Sequence, residues 1–294
     1  MIGEHQRPPN FDTEHLAQLA LRAALAGAEV AGPAQDGVRT HPERRATKSS
    51  ATDLVTEADR ATEAAIARVI TEARPGDGFL GEEGIGDTAA RSPADEGHDR
   101  SGGDGIVWVV DPIDGTTNYV YGSSEWAVCV AATSGGETLA GAVVAPALGL
   151  TYLAAAGGGA TCNGEPLRLS EPPPLGRALV ATGFGYDSGR RHRQGVVAAE
   201  VLPQVRDLRR RGAAALDVCA VAAGTVDAFY EAGVQWWDFA AAAVVASEAG
   251  ATVVARPLDR TPADGSEGFF VLVGAPSLVG ELGPLLDRLG APAG

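Results

Sequence analysis

The chain of 294 residues is short of several residue types, and each shortage closes a route. Cysteine occurs three times, at Cys129, Cys162 and Cys219, widely spaced and with no C-x-x-C pair. Such usage excludes a disulfide scaffold and suits a reducing, cytoplasmic setting. Five histidines (His5, His15, His41, His98, His192) all fall outside the motifs described below. Lysine occurs once, at Lys48, against 22 arginines. Positive charge is scarce overall: Lys+Arg 23 against Asp+Glu 38 leaves a net charge of −15. That balance argues against nucleic acid as a partner, because phosphate backbones recruit lysine and arginine. Any anionic substrate then needs metal cations or a local basic pocket. No apolar run approaches the ~18 residues of a membrane helix; the most apolar stretch, 239–246, is far too short. Residues 1–10 are polar, lack the apolar core of a signal peptide and read as a flexible tail.

What is present is a globular composition, 45% hydrophobic, of a length that suggests two packed units. Apolar spacing predicts helices over 11–31 and 56–73, the second opened by Thr56 and Asp59 in a capping-box-like pattern. Short strands are expected at 79–80, 106–110, 126–133, 139–145 and 150–155, and Asn163-Gly164 is a hairpin turn. The segment 84–105, rich in Gly, Asp, Ser and Pro, reads as a surface loop. The second half alternates strand and helix: strands at 178–182, 205–208, 228–230, 252–254 and 269–273, helices at 190–202, 213–223, 238–249 and 276–289. The pattern is α+β over 11–146 followed by α/β over 147–294, with a boundary near Pro146.

Four acidic motifs stand out: Asp53 to Asp59, Gly81-Glu82-Glu83, Asp111 to Asn118, and Trp237-Asp238-Phe239-Ala240. In the third, an apolar strand ends in two carboxylates three residues apart, followed at once by Gly115-Thr116-Thr117-Asn118. A strand end can aim both carboxylates into a cleft, and a Gly-Thr helix start offers backbone N–H groups to an anion beside them. Carboxylates next to phosphate repel it unless a hard cation lies between. Oxygen donors without histidine point to Mg²⁺, or Mn²⁺, rather than zinc.

This ensemble resembles the inositol monophosphatase family, magnesium-dependent and lithium-sensitive phosphomonoesterases, from Lys48 through Gly250 with all four motifs in order. The resemblance implies an αβαβα layered sandwich of the sugar-phosphatase type and a homodimer. It implies that Glu82, Asp111 and the Ile113 carbonyl hold one cation, that Asp111, Asp114 and Asp238 hold a second, and that Glu82 touches a weaker third. Catalytic positions would be Glu82, Thr116 and Asp59, which orient and activate a water. Substrate positions would be Gly115 and Thr116 for phosphate, Ala214 and Glu231 toward the hydroxyl-bearing ring, and Asp114 and Asp238 besides. Lys48, Glu83 and Arg209 are accessory candidates, Lys48 near the outermost cation. Three divalent ions on four carboxylates leave the site roughly +2, matched to a monoester near −2. The resemblance implies hydrolysis of a small phosphorylated metabolite, inositol monophosphate first. Histidinol phosphate, fructose bisphosphate and nucleotide phosphates are the alternatives within the fold. A regulatory protein that binds RNA polymerase or ribosomal components is the alternative outside enzymes. The segment between Glu83 and Asp111 is longer than the resemblance leads one to expect.

Other patterns carry less. Cys162 to Arg168 has the C-x5-R spacing of cysteine phosphatases, but with a hairpin turn and Pro166 inside it. Gly183-Phe184-Gly185 is an incomplete dinucleotide fingerprint, and Asp111-x-x-Asp114 has the wrong spacing for aspartyl-phosphate chemistry. Trp236 and Trp237 read as packing residues.

Overall fold

The computed structural model describes residues 11–40, 45–47, 54–84, 105–258 and 268–293. The first half holds α1 (Thr13–Thr40), the β1 (Arg45–Thr47) and β2 (Leu54–Thr56) ribbon, α2 (Glu57–Ala73), β3 (Gly78–Gly81), β4 (Val107–Asp114) and α3 (Thr116–Tyr121). It continues through β5 (Ala127–Ser134), β6 (Glu137–Ala145), β7 (Leu150–Ala155), β8 (Gly159–Cys162) and β9 (Glu165–Pro166). The second half holds β10 (Leu179–Thr182), α4 (Ser188–Val201), β11 (Asp207–Arg209), α5 (Ala214–Ala222), β12 (Ala228–Val234), α6 (Trp236–Glu248), β13 (Thr252–Pro257), β14 (Phe269–Gly274) and α7 (Pro276–Arg288).

Strands β3 to β9 form a seven-stranded sheet in sequence order, antiparallel except for the parallel β3–β4 pair. A second sheet, ordered β11-β10-β12-β14-β13, is parallel across its first three strands and antiparallel beyond. The seven-stranded sheet thus runs past Pro146 to Pro166, and the chain changes sheet only between Pro166 and Leu179.

Alternation along the strands explains the layering, because successive side chains point to opposite faces. On β5, Val128, Val130 and Ala132 pack with α1 and α2, whereas Ala127, Cys129 and Ala131 pack with α5 and α6. On β14, Val271 and Val273 share that middle core, and Phe270 and Leu272 face α7. Helices α5 and α6 are therefore sandwiched between the sheets, giving five layers, αβαβα. Close approach is achieved with small residues: a Cβ on Gly141 of β6 would lie 2.6 Å from the Ala241 carbonyl of α6.

One helix exceeds expectation. Spacing predicts α1 to end at Ala31, but it continues through Pro33 to Thr40. Val38 is buried, and Gln35 donates to the carbonyls of Tyr119 and Ser123 at 3.2 and 2.8 Å, so tertiary anchoring outweighs the proline. Asn163 and Gly164, with φ of 50° and 83°, close the β8–β9 hairpin as expected. Cys162 is therefore a strand residue and not part of a phosphate loop. Lys48, Asp53 and most of the expected 84–105 loop lie outside the described residues.

Candidate active site

The four acidic motifs meet through strand register and one irregularity. Strands β3 and β4 are parallel with Gly81 beside Val110, and the Glu82 N–H continues the ladder to the Val110 carbonyl at 3.2 Å. Glu82 is thereby set next to Asp111. Asp111 and Asp114, three apart, would face opposite ways on a regular strand. The β4–β5 register shifts between them: Asp111 pairs with Cys129 and Asp114 with Ala127, so β4 carries one extra residue. This bulge returns Asp114 to the side of Asp111. Locally the Ile113 N–H donates to Asp111 Oδ1 at 3.0 Å.

The other partners arrive on helix N-termini of the middle layer. Asp114 accepts the N–H groups of Ala214 at 3.1 Å and Ala215 at 2.9 Å, so it caps α5 from across the cleft. Asp238 sits at the third position of α6 and accepts the Gln235 N–H at 2.7 Å, completing a capping box with Gln235. Capping and site membership coincide here. Strand ends β3, β4, β10 and β12 and the N-termini of α5 and α6 thus surround a cleft of about 530 Å³ between the sheets.

Electrostatics divide the cleft. Asp111 is 2% exposed; burial, then the charges of Glu82, Asp114 and Asp238, push its carboxyl well above the usual range. Asp238 is pushed up by burial and by Glu82, and Asp114 rises to about 7 through burial, held back by its backbone donors. Asp111 and Glu82 share a hydrogen bond, which adds to the rise of the Asp111 carboxyl. Among the described residues, no group of three or more His, Cys, Asp or Glu side chains stands in position to ligate one ion together. The carboxylates instead engage one another and nearby amides. The donor set nonetheless suits a hard divalent cation: four carboxylates repelling one another, with no imidazole or thiolate among them.

Thr116, buried at the start of α3, donates its hydroxyl to the Ile113 carbonyl at 3.0 Å. Its proton committed, the oxygen meets the cleft as an acceptor. At the far side, burial raises Glu231 of β12 to about 7, opposed by Arg210. Asp217 of α5, also in the wall, rises to about 8 by burial, opposed by Arg211 at 3.6 Å.

Of the expected residues, Glu82, Asp111, Ile113, Asp114, Gly115, Thr116, Ala214, Glu231 and Asp238 all line this cleft. Asp59 does not; it is fully buried on α2, where burial and its charge raise the hydroxyl pKa of Tyr119. Glu83 is likewise outside the lining, its N–H donating to Glu63. Arg209 points away, paired with Asp207 at 2.6 Å on the surface; the next residue, Arg210, reaches the cleft instead. Asp207 and Arg209, two apart on β11, share a face, whereas Arg210 lies just past the end of that strand. Trp236 packs on Phe239 and Phe269, as expected, but Trp237 lines the cleft. Sequence reasoning missed Glu63, Arg190 and Asp217, for none of which a motif stands out.

Five alternating layers around an acid-lined cleft define a protein of the layered αβαβα type. A model of the inositol monophosphatase family matches residues 12–273. Inositol-1-monophosphatase SuhB of Mycobacterium tuberculosis is 45% identical over 271 residues, spanning 91% of this chain and 87% of that protein. The solved Mycobacterium tuberculosis SuhB structure superimposes with a TM-score of 0.77 at 36% identity, over 96% of this chain and 100% of that one. A protein named Nus factor SuhB, from Pasteurella multocida, is 35% identical over 239 residues, 81% of this chain and 84% of its own length. The chain belongs to the inositol monophosphatase family, whose members are generally metal-dependent.

Proposed function

We propose that the chain hydrolyses inositol monophosphate to inositol and phosphate, with Mg²⁺ as its metal, water as nucleophile and no covalent intermediate. The observation that carries this is the meeting of Glu82, Asp111, Asp114 and Asp238 beside Gly115 and Thr116, with Glu231 across the same cleft. Glu82, Asp111, Asp114, Asp238 and the Ile113 carbonyl would hold the cations. Divalent cations held there would offset the charge of the phosphate and act as Lewis acids.

The remaining work falls to the chain's own atoms. Thr116 Oγ, its hydroxyl donating to the Ile113 carbonyl, accepts a hydrogen bond from the attacking water and so orients it. Gly115 and Thr116 line the phosphate end of the cleft. Ala214 and Glu231 bind the leaving polyol, the glutamate accepting from a ring hydroxyl when ionised. No cysteine lines the cleft among the described residues, and none is asked to attack.

The test is phosphate release with Mg²⁺ from inositol 1-phosphate, histidinol phosphate, fructose 1,6-bisphosphate and nucleoside monophosphates. The proposal expects inositol 1-phosphate to give the highest kcat/KM. Higher values for another ester would move the substrate within the fold, and no release from any would favour a binding role.

A further inference from the structure

The cleft wall opposite the carboxylates is cut from glycines, and the side chains that fill the space define its chemistry. Parallel pairing sets Thr182 of β10 beside Tyr230 of β12, so the next residues, Gly183 and Glu231, are neighbours. A Cβ on Gly183 would overlap the Glu231 carboxylate. A Cβ on Gly185 would lie 2.9 Å from Cδ of Arg190, and one on Gly233 would overlap the Arg190 guanidinium. Gly233 has φ of 93° and sits where the β12–β14 register shifts between Ala232 and Val234. Two glycines from separate segments therefore make room for one arginine, which is 7% exposed and lines the cleft.

A neutral side chain of the same helix also braces this wall. One turn further along α4, on the same face, Gln194 accepts the Gly185 N–H at 2.8 Å and donates to the Ala232 carbonyl at 2.8 Å. Gln194 thus ties the 183–187 segment to β12 with a neutral side chain. Asp187 caps α4 by accepting the Arg190 N–H at 2.7 Å, which fixes where the arginine begins.

We propose that Arg190 is a specificity-determining residue that contacts the leaving group of the substrate. A guanidinium has five donors and no acceptor, whereas an ionised carboxylate only accepts. Arg190 and Glu231, on one wall, therefore offer a hydroxyl-rich leaving group both kinds of partner. A polyol with adjacent hydroxyls uses both; an aryl alcohol uses neither. The inference rests on the polyol phosphatase reading.

Arg190→Met and Arg190→Lys, with thermal midpoints recorded, test it through the ratio of kcat/KM for inositol 1-phosphate to that for p-nitrophenyl phosphate. The ratio should fall at least about tenfold in Arg190→Met, the scale of one lost hydrogen bond to a charged group, chiefly through KM for the inositol ester. Arg190→Lys should be intermediate, since it keeps charge without the fork, and it serves alone if the methionine variant does not fold. A wild-type preference for the polyol that both variants keep, or equal losses on both substrates, would overturn the role of Arg190. A wild type with no preference for the polyol would overturn the substrate reading itself, and Arg190's role with it.

Discussion

Glu63 offers a quantitative check on how the site is held. It lies on α2 with 0% exposure, and its carboxylate accepts the Glu83 N–H at 2.8 Å. The same carboxylate covers Gly81, where a Cβ would collide with it. The turn that carries Glu82 is thus hung between β4, through the Val110 carbonyl, and α2, through Glu63. Glu63→Gln and Glu63→Ala both remove the charge, but only glutamine keeps an oxygen for the Glu83 amide. An orphaned buried amide costs ~1–3 kcal/mol, and a lost methylene adds about 0.8. Alanine should therefore be less stable than glutamine by roughly 2–4 kcal/mol. At about 2 °C per kcal/mol for a chain of this size, its thermal midpoint should lie ~4–8 °C lower in chelator-treated protein. Freed of its tether, Glu82 should also bind cations less well, so the half-saturating Mg²⁺ by calorimetry should rise roughly tenfold in the alanine variant alone. Two variants that melt within about 1 °C of each other and bind Mg²⁺ alike would refute the tether.

Three further outcomes are expected. Asp111→Asn, nearly isosteric, should lower phosphate release at least ~10²-fold while circular dichroism stays native; near-normal turnover at saturating Mg²⁺ would contradict the ligand assignment. Thr116→Ala removes an acceptor for water and not a substrate anchor, so kcat should fall more than KM rises in steady-state kinetics; a pure KM effect would make Thr116 a phosphate-binding residue only. Asp217 has a folded-state pKa of about 8, against about 3.9 unfolded. Its stabilising contribution is complete below pH ~4 and is lost as pH rises through ~8, by up to about 1.4 kcal/mol per pH unit in between. Urea unfolding at pH 5.5 and 8.0 should show wild type losing more stability than Asp217→Asn; identical pH dependence would contradict the burial of that carboxyl.

The sequence carried most of the acidic lining of the cleft because Glu82, Asp111, Asp114 and Asp238 each lie near a strand end or a helix start, and such junctions are visible in composition. What it could not carry was set by tertiary contacts. Asp111 and Asp114 share a side only because β4 bulges, and one added residue leaves no mark that spacing alone reveals. Arg209 closes a three-residue strand and Arg210 lies just beyond it, a boundary too short for periodicity to register. Gly183 and Gly185 look like a broken nucleotide fingerprint; their purpose emerges only when Glu231, far along the chain, and Arg190, on the helix that follows, come to lie against them. Helix α1 outran its proline for the same reason, since Gln35 finds its partners 84 and 88 residues away.

The central claim is that Glu82, Asp111, Asp114 and Asp238 together hold divalent cations. Burial and mutual repulsion raise Asp111, Asp114 and Asp238, so metal must compete with protons to enter. Calorimetric titration of chelator-treated protein with Mg²⁺, repeated in buffers of different ionisation enthalpy, measures both events at once. The account predicts saturable binding of two or three ions with net proton release near pH 6.5, both sharply reduced in Asp111→Asn. Binding without proton release, or equal binding by Asp111→Asn, would contradict it.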